Sequence, residues 1–323
     1  MRYGGLRFVV SRLVQTVIVL LAMSFAVYLL IGLMPGDPID LMIAGDPRLT
    51  PEDAARLRAV YGLDQPLWSR YVAWLGNAVS GDLGASRLFA RPVLEVMGPF
   101  FMNTCVLMGL SFALSVVIAV PLGVWAAKRP GSLLDRAINA FAFTGISMPV
   151  FWLGLMLIIL FSVVLSWLPA SGTGRGGDGL FDAVRHLMLP VITLTIHETG
   201  VLLRYTRSAM IETMRQDFIR AIRAKGASDR WVMWRHGLPN AMLPVVTVIA
   251  LSFGQLFSGA LVTETIFAYP GMGRMIYDSV MGNDFNLALV GLLLATALTL
   301  AANLAADLLY AWLDPRIRLG DSA

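Results

Sequence analysis

Hydrophobic and polar positions segregate along this chain into long blocks. The first apolar block, residues 14–34, follows Arg2, Arg7 and Arg12. It has about the length needed to cross ~30 Å of hydrocarbon and lacks the short apolar core and small-residue cleavage site of a secretory signal, so it predicts a retained membrane helix. Five more blocks follow at 101–127, 137–168, 187–203, 242–266 and 287–313. The block at 187–203 holds His197 and Glu198 and is the weakest. Counting it gives six spans, and omitting it would put the two ends of the chain on opposite sides.

Between the first two blocks lies a long polar segment opened by Pro35-Gly36-Asp37-Pro38. Thr50-Pro51-Glu52-Asp53 reads as an N-cap, a proline at the first helical position and acids in the first turn, with Gly62 closing that helix. Leu67, Tyr71, Trp74, Leu75 and Val79 then recur at helical spacing up to Gly81. The pattern predicts a small external helical subdomain resting on the membrane surface through Trp68, Trp74 and Phe89. Three parts result: 1–34, the N-terminal tail and first span; 35–99, the insertion; and 100–323, a five-span core.

The core is interrupted by a basic amphipathic island at 204–240. Met210, Met214, Phe218 and Ile222 fall at successive i, i+4 positions with Arg215, Arg220 and Arg223 turned away, which predicts one helix with a greasy stripe. Gly226 after Lys225 fits a left-handed cap, and Ser228 with Asp229 supplies the N-cap of a second short helix through Trp231, Val232 and Trp234. Gly237 and Pro239 are expected to stop it. Two short helices joined at a glycine and ending in exposed aromatics describe a docking surface.

Composition agrees with a membrane protein: 57% of residues are hydrophobic, 14% are charged and the mean hydropathy is +0.71, where soluble chains have about a quarter charged. A net charge of +4 spread over 323 residues excludes a nucleic-acid binder. Its distribution is more informative. With six spans and an internal N-terminus, 16 of the 25 Lys and Arg residues fall in internal segments, eight of them in the basic island, whereas 13 acids lie outside and six inside. The positive-inside bias therefore places both ends and the island in the cytoplasm. Pro121, Pro149, Pro190 and Pro244 lie in or at the mouths of spans and mark expected kinks. Cys105, the single cysteine, is expected to be a small buried hydrophobe.

Several chemistries are missing. A phosphate-binding P-loop needs a lysine before Ser or Thr, but the two lysines precede Arg129 and Gly226. His197-Glu198 opens like a zinc-protease helix, yet Val201 stands where the second histidine belongs. No Gly-x-Ser-x-Gly elbow occurs. No catalytic residue and no metal site is expected.

With the island in the cytoplasm, residues 221–239 resemble the loop shared by permease subunits of ATP-binding-cassette (ABC) importers, Glu-Ala-Ala, three residues, Gly, nine residues, Ile-x-Leu-Pro. Ala221, Gly226, Leu238 and Pro239 keep the pattern; Arg220, Ile222 and His236 depart from it. Other stretches resemble the first-type permease of the dipeptide, oligopeptide and nickel branch. They are Leu33-Met34-Pro35-Gly36-Asp37-Pro38, Tyr61-Gly62-Leu63-Asp64-Gln65-Pro66, Gly81-Asp82-Leu83-Gly84, Trp167-Leu168-Pro169-Ala170-Ser171-Gly172, Asp217-Phe218-Ile219-Arg220, Glu264-Thr265-Ile266-Phe267, Pro270-Gly271-Met272-Gly273 and Leu313-Asp314-Pro315-Arg316-Ile317-Arg318.

The resemblance implies an all-α polytopic protein, six transmembrane helices of the type I ABC importer permease fold with a small helical periplasmic insertion, in a bacterial inner membrane. It implies a second homologous permease, two cytoplasmic ATPase subunits that bind ATP and Mg, and a periplasmic or lipid-anchored solute-binding protein; this chain would hold no cofactor. Arg220, Ala221, Lys225, Gly226, Ser228, Asp229, Arg230, Trp231, Val232, Trp234, Arg235, Leu238 and Pro239 would make the ATPase contact, with Trp231, Val232 and Trp234 as apolar anchors. Glu198, Gln255 and Glu264 are candidates for contact with the solute or its gate. Peptides are the expected cargo, with nickel complexes, glutathione or opines as alternatives. An ion-coupled secondary transporter is the alternative of another class, but the paired repeats it usually carries are not visible.

Overall fold

The computed structural model describes residues 2–33, 50, 52, 53, 56, 64–173 and 179–313, with side chains described throughout these except at 2–9, 31, 253–258 and 309–313. The Pro35–Pro38 opening, most of the Thr50 to Gly62 helix and the closing motif after Leu313 lie outside the described residues. What remains of the first insertion helix is its start. The Asp53 N–H donates to Thr50 Oγ1 at 3.2 Å while the Thr50 N–H and hydroxyl donate to the Asp53 carboxylate at 3.0 and 2.7 Å, a reciprocal cap. These bonds hold the Asp53 carboxyl below its usual range.

The helices are α1 Arg2–Gly32, α2 Leu67–Val79, α3 Val93–Lys128, α4 Leu133–Ser147, α5 Val150–Leu157 continuing as a π-helical stretch to Val164, α6 Gly179–Met214, α7 Asp217–Ala224, α8 Asp229–Val232, α9 Leu238–Ile266, α10 Met272–Met281 and α11 Phe285–Leu313. Strands β1 Ala85–Ser86 and β2 Arg91–Pro92 form one antiparallel hairpin. Among the described residues four helices, α1, α3, α6 and α11, are long and apolar enough to cross a membrane, and α4 with α5 makes a fifth crossing if the bent pair is one span. The block at 242–266 is the single 29-residue helix α9. The block at 137–168 is not one helix. Pro149 lacks an N–H and forces Met148 into an extended conformation (φ −87°, ψ 127°), and α4 and α5 meet at 105°.

The chain folds as two compact units: Met1–Val10 with Met102–Arg274 and Leu298–Ala323, and Ser11–Phe101 with Met275–Ala297. In the second unit α2 packs on α1 through Phe25, Tyr28, Tyr71 and Trp74, with Phe25 edge-on to Tyr71 and Tyr71 stacked on Trp74. Trp74 is therefore committed to α1, while Trp68 and Phe89 are exposed. The β-hairpin is strapped to the turn before α11. Asp284 accepts from the Ser86 hydroxyl, from the Leu88 N–H at 3.0 Å and from the Leu287 N–H at 3.2 Å, and Arg87 donates to the Gly282 carbonyl. Gly84, in the Gly81–Gly84 motif, has φ +80°, and a Cβ there would stand 2.7 Å from the Asn286 amide.

In the first unit α6 is the centre of packing. Its small residues let neighbours approach backbone to backbone: a Cβ on Gly200 would lie 2.6 Å from the Ala142 carbonyl, and one on Gly145 of α4 would lie 2.8 Å from the Ile196 carbonyl. Such crossings replace the hydrophobic effect, which does not drive association in lipid, with close van der Waals contact. On another face Gly123 of α3 brings its backbone against Thr206 and Leu203. Cys105 faces outward from α3 instead of being buried, because the apolar solvent here is lipid and an apolar residue need not be inside.

Candidate functional site

The basic island is two helices where the stripe predicts one. α6 stops at Met214, a turn through Arg215 and Gln216 follows, and α7 restarts at Asp217 with Gln216 in its N-cap position. The break rotates the face, so Ile219 becomes the fully buried residue of α7 while Phe218 and Ile222 are half-buried. Gly226 sits at φ +85° with open space around it, which is backbone demand and not crowding. Ser228 caps α8 by accepting the Trp231 N–H at 3.4 Å, as its spacing predicts. Arg223 Nε meets Asp229 Oδ1 at 2.9 Å and ties α7 to α8, and Asp217 pairs with Arg220 at 2.7 Å on the exposed side.

Gly237 and Pro239 do not stop the second helix. The chain passes from α8 through a π-helical stretch, Met233–Gly237, straight into α9. Pro239 falls just past the junction where the hydrogen bonding changes from π to α, and it removes one N–H from the continuous run. A Cβ on Gly237 would lie 2.7 Å from Met214 Sδ, so the glycine marks a close contact with α6. Met210, Met233 and Ala241 bury themselves together with Val124 and Ala127 of α3. This seam fixes α8 to the ends of α3 and α6.

Val232 belongs to the inner side. It is fully buried, so it anchors the loop to its own bundle and is not available to a partner. Trp231 and Trp234 are 50% and 41% exposed. Arg220, Ala221, Lys225, Arg230 and Arg235 are exposed around them, Leu238 is half-buried and Pro239 exposed. The Trp231 ring meets the His236 imidazole edge to face at 4.7 Å, which holds one of the two tryptophans in place.

The gate candidates separate. The side chain of Gln255 lies outside the described residues. Glu264 is completely buried and fully engaged: its carboxylate accepts from Thr104 Oγ1 and from the Gly273 N–H, both at 2.6 Å, while Thr104 Oγ1 accepts the Met272 N–H at 2.7 Å. It caps the start of α10. Gly271 and Gly273 make room, since a Cβ on Gly271 would lie 2.2 Å from Glu264 Cδ. Asn103 and Tyr269 close the elbow, Asn103 Nδ2 donating to the Pro270 carbonyl at 2.8 Å. Glu198 is 7% exposed and has no such partners among the described residues. Its neighbour His197 has Nδ1 3.3 Å from the Gly145 carbonyl.

One feature of this end escapes the sequence reading. Arg207 lies in the basic island but turns inward, meeting both oxygens of Asp135 at 2.6 and 2.8 Å. Asp135 also accepts from the Gly131 N–H and from Asn139 Nδ2. Ser132, which caps α4 by accepting the Asp135 N–H, was the available signal. The pair bolts the start of α4 to α6. Arg207→Ala is expected to cost about 3 kcal/mol, because it leaves a buried carboxylate without its counter-charge while the Gly131 N–H and Asn139 Nδ2 still donate to it; the measurement is the melting temperature of the detergent-solubilised complex, and an unchanged value would contradict a structural bolt.

Two family descriptions match the chain: binding-protein-dependent transport system inner membrane component over residues 119–319, and the N-terminal membrane component of such systems over residues 5–106. The chain belongs to this family. The oligopeptide transport system permease protein AppB of Bacillus subtilis is 38% identical over 313 residues, covering 96% of this chain and 98% of that protein. The dipeptide transport system permease protein DppB of Escherichia coli is 39% identical over 336 aligned residues, covering 97% and 99%. Among solved structures, an inward-facing conformation of the MetNI methionine ABC transporter shares the fold at a TM-score of 0.57 and 20% identity, over 68% of this permease and 97% of that chain. The fold is that of the type I ABC importer permeases, and the protein is a polytopic component of a bacterial inner membrane.

Proposed function

We propose that this permease is half of the translocation pathway of an ATP-driven peptide importer, working with a second permease, two ATPase subunits that hold ATP and Mg, and a periplasmic or lipid-anchored receptor. It is itself non-catalytic. Both termini and the loop from Arg215 to Gly237 face the cytoplasm, following the charge asymmetry. The observation that carries this reading is the loop itself: a capped α8 with Trp231 and Trp234 exposed on one side and Val232 and Met233 buried on the other. Exposed tryptophans ringed by arginines suit an ATPase cleft, where a buried aromatic anchor and a charged rim supply most of the affinity. ATP-driven closure of that cleft then moves α6 and α9, the two spans joined by the loop.

Peptide cargo is supported by the relatives, since AppB and DppB are named for oligopeptide and dipeptide transport and a Pseudomonas aeruginosa relative at 38% identity for di/tripeptide transport. Nickel complexes, glutathione and opines are the competing cargoes. Purifying the tagged permease with its companions tests the assembly, and a binding titration of the companion receptor with di- and tripeptides, nickel chelates, glutathione and an opine tests the cargo. ATPase co-purification and micromolar or tighter peptide binding are expected; a complex without an ATPase, or a receptor that ignores peptides, rejects the corresponding half of the proposal.

A further inference from the structure

Glu198 is a buried acid with no partner among the described residues. It stands near the middle of α6, a span by length and composition, and makes no hydrogen bond or ion pair among the described residues. A carboxyl group at membrane depth with nothing to meet costs several kcal/mol. Glu264 shows how this fold satisfies an acid meant for structure, with a hydroxyl and a backbone N–H at 2.6 Å. Glu198 has been given none of that.

Its position on α6 identifies what surrounds it. Ile196, His197 and Gly200 face α4, and Thr195, Leu203 and Thr206 face α3, where Thr195 donates to the Ser111 carbonyl. Leu194 approaches Gly259 of α9, and Leu202 lies in the cluster against which Val248 and Ile249 of α9 pack. Glu198 is four residues from each of these leucines, so it shares their stripe and faces α9. The acid lies between the two spans that the cytoplasmic loop joins. Any movement of α6 against α9 opens or closes the space around it.

We propose that Glu198 is the point in the path that recognises the free α-ammonium of the peptide cargo while α6 and α9 are parted; the inference rests on the peptide-importer reading above. The chemistry selects the ligand. A single carboxyl is too few for a metal ion, which needs several oxygen ligands. An ammonium offers one compact charge that a single carboxylate can meet with a charge-assisted hydrogen bond. Hydrophobic cargo side chains gain nothing at this point, whereas every peptide with an unblocked first residue carries the group.

The test uses the complete complex of both permeases, ATPases and receptor in nanodiscs for labelling and in proteoliposomes for uptake. Tripeptides carrying photoleucine at the first or at the third residue are trapped during turnover and irradiated. First-residue probes are expected to label the α6 segment around Glu198, and third-residue probes to label it several-fold less. Glu198→Gln keeps the shape but not the charge and is expected to slow uptake on the order of thirtyfold with assembly and receptor-stimulated ATP hydrolysis retained, with Glu198→Asp recovering part of it. Equal labelling by the two probes, or unimpaired uptake by Glu198→Gln, overturns the proposal. If Glu198→Gln does not assemble, the labelling of the unsubstituted complex decides alone. If the unsubstituted complex moves no peptide, the cargo reading falls and this proposal with it, an outcome distinct from a failure at Glu198.

Discussion

Replacing Trp231 and Trp234 together by alanine is expected to strip the ATPases from the complex and abolish uptake while leaving the permease folded. The two rings are exposed, so their removal opens no cavity in the bundle; Val232 and Met233, which hold α8 down, are untouched. The loss falls on the partner interface instead. A buried tryptophan anchor is worth about 2–4 kcal/mol, so two of them account for a change in affinity on the order of a thousandfold or more. The check is co-purification of the ATPase in detergent alongside the melting temperature of the permease. A complex that survives the double substitution would show that the tryptophans lie on lipid, where amphipathic aromatics are also at home. Val232→Ala makes the opposite control. It empties a buried site, and the expected result is a destabilised loop, with the ATPase weakened only as a secondary effect.

Glu264→Ala is expected to be the most destabilising single change in the elbow between α9 and α10. It removes the acceptor of the Thr104 hydroxyl and of the Gly273 N–H and leaves an empty volume that Gly271 and Gly273 were kept small to provide. Hydrogen bonds between membrane helices average only about 0.6 kcal/mol, which would predict a modest loss. The larger estimate wins here because the Gly273 donor belongs to the first turn of a helix and has no carbonyl behind it to fall back on. Two stranded donors at about 1–3 kcal/mol each, with the cavity, bring the cost to about 5 kcal/mol. That is comparable with the whole stability of many domains. Limited proteolysis and thermal melting of the assembled complex measure it. Glu264→Gln is expected to fall between, since an amide supplies one acceptor but turns an NH2 toward the other donor. Retention of wild-type melting by Glu264→Ala would mean the elbow is held by Asn103 and Tyr269 alone.

Much of this architecture was legible in the chain because the physical demand is written in single residues. Long apolar blocks have few alternatives in lipid, Gly226 answers a left-handed backbone, and Ser228 answers an orphan N–H. The misreadings share a cause: a local signal was overruled by packing. Gly237 and Pro239 look like a helix stop, but the glycine is there to admit Met214, and the proline sits at the junction of the π-helical stretch with α9. The stripe from Met210 to Ile222 has perfect helical spacing, yet the chain breaks at Arg215 and Gln216 so that Ile219 can be buried. Arg207 could not be told from its exposed neighbours, since only the fold brings Asp135 to it across 72 positions of sequence. The same holds for Glu264 and Thr104, 160 positions apart. Periodicity reports which face is greasy, and it is silent on which polar residue meets which.

Because α8 passes into α9 without a loop, the exposed tryptophan surface and the span packed against α6 are one rod. From Asp229 to Ile266 it would measure about 57 Å at the ordinary helical rise. A tilt delivered at Trp231 would have to pass the π-helical stretch and Pro244, where the hydrogen-bond ladder of this rod is interrupted, before it reached the far tip.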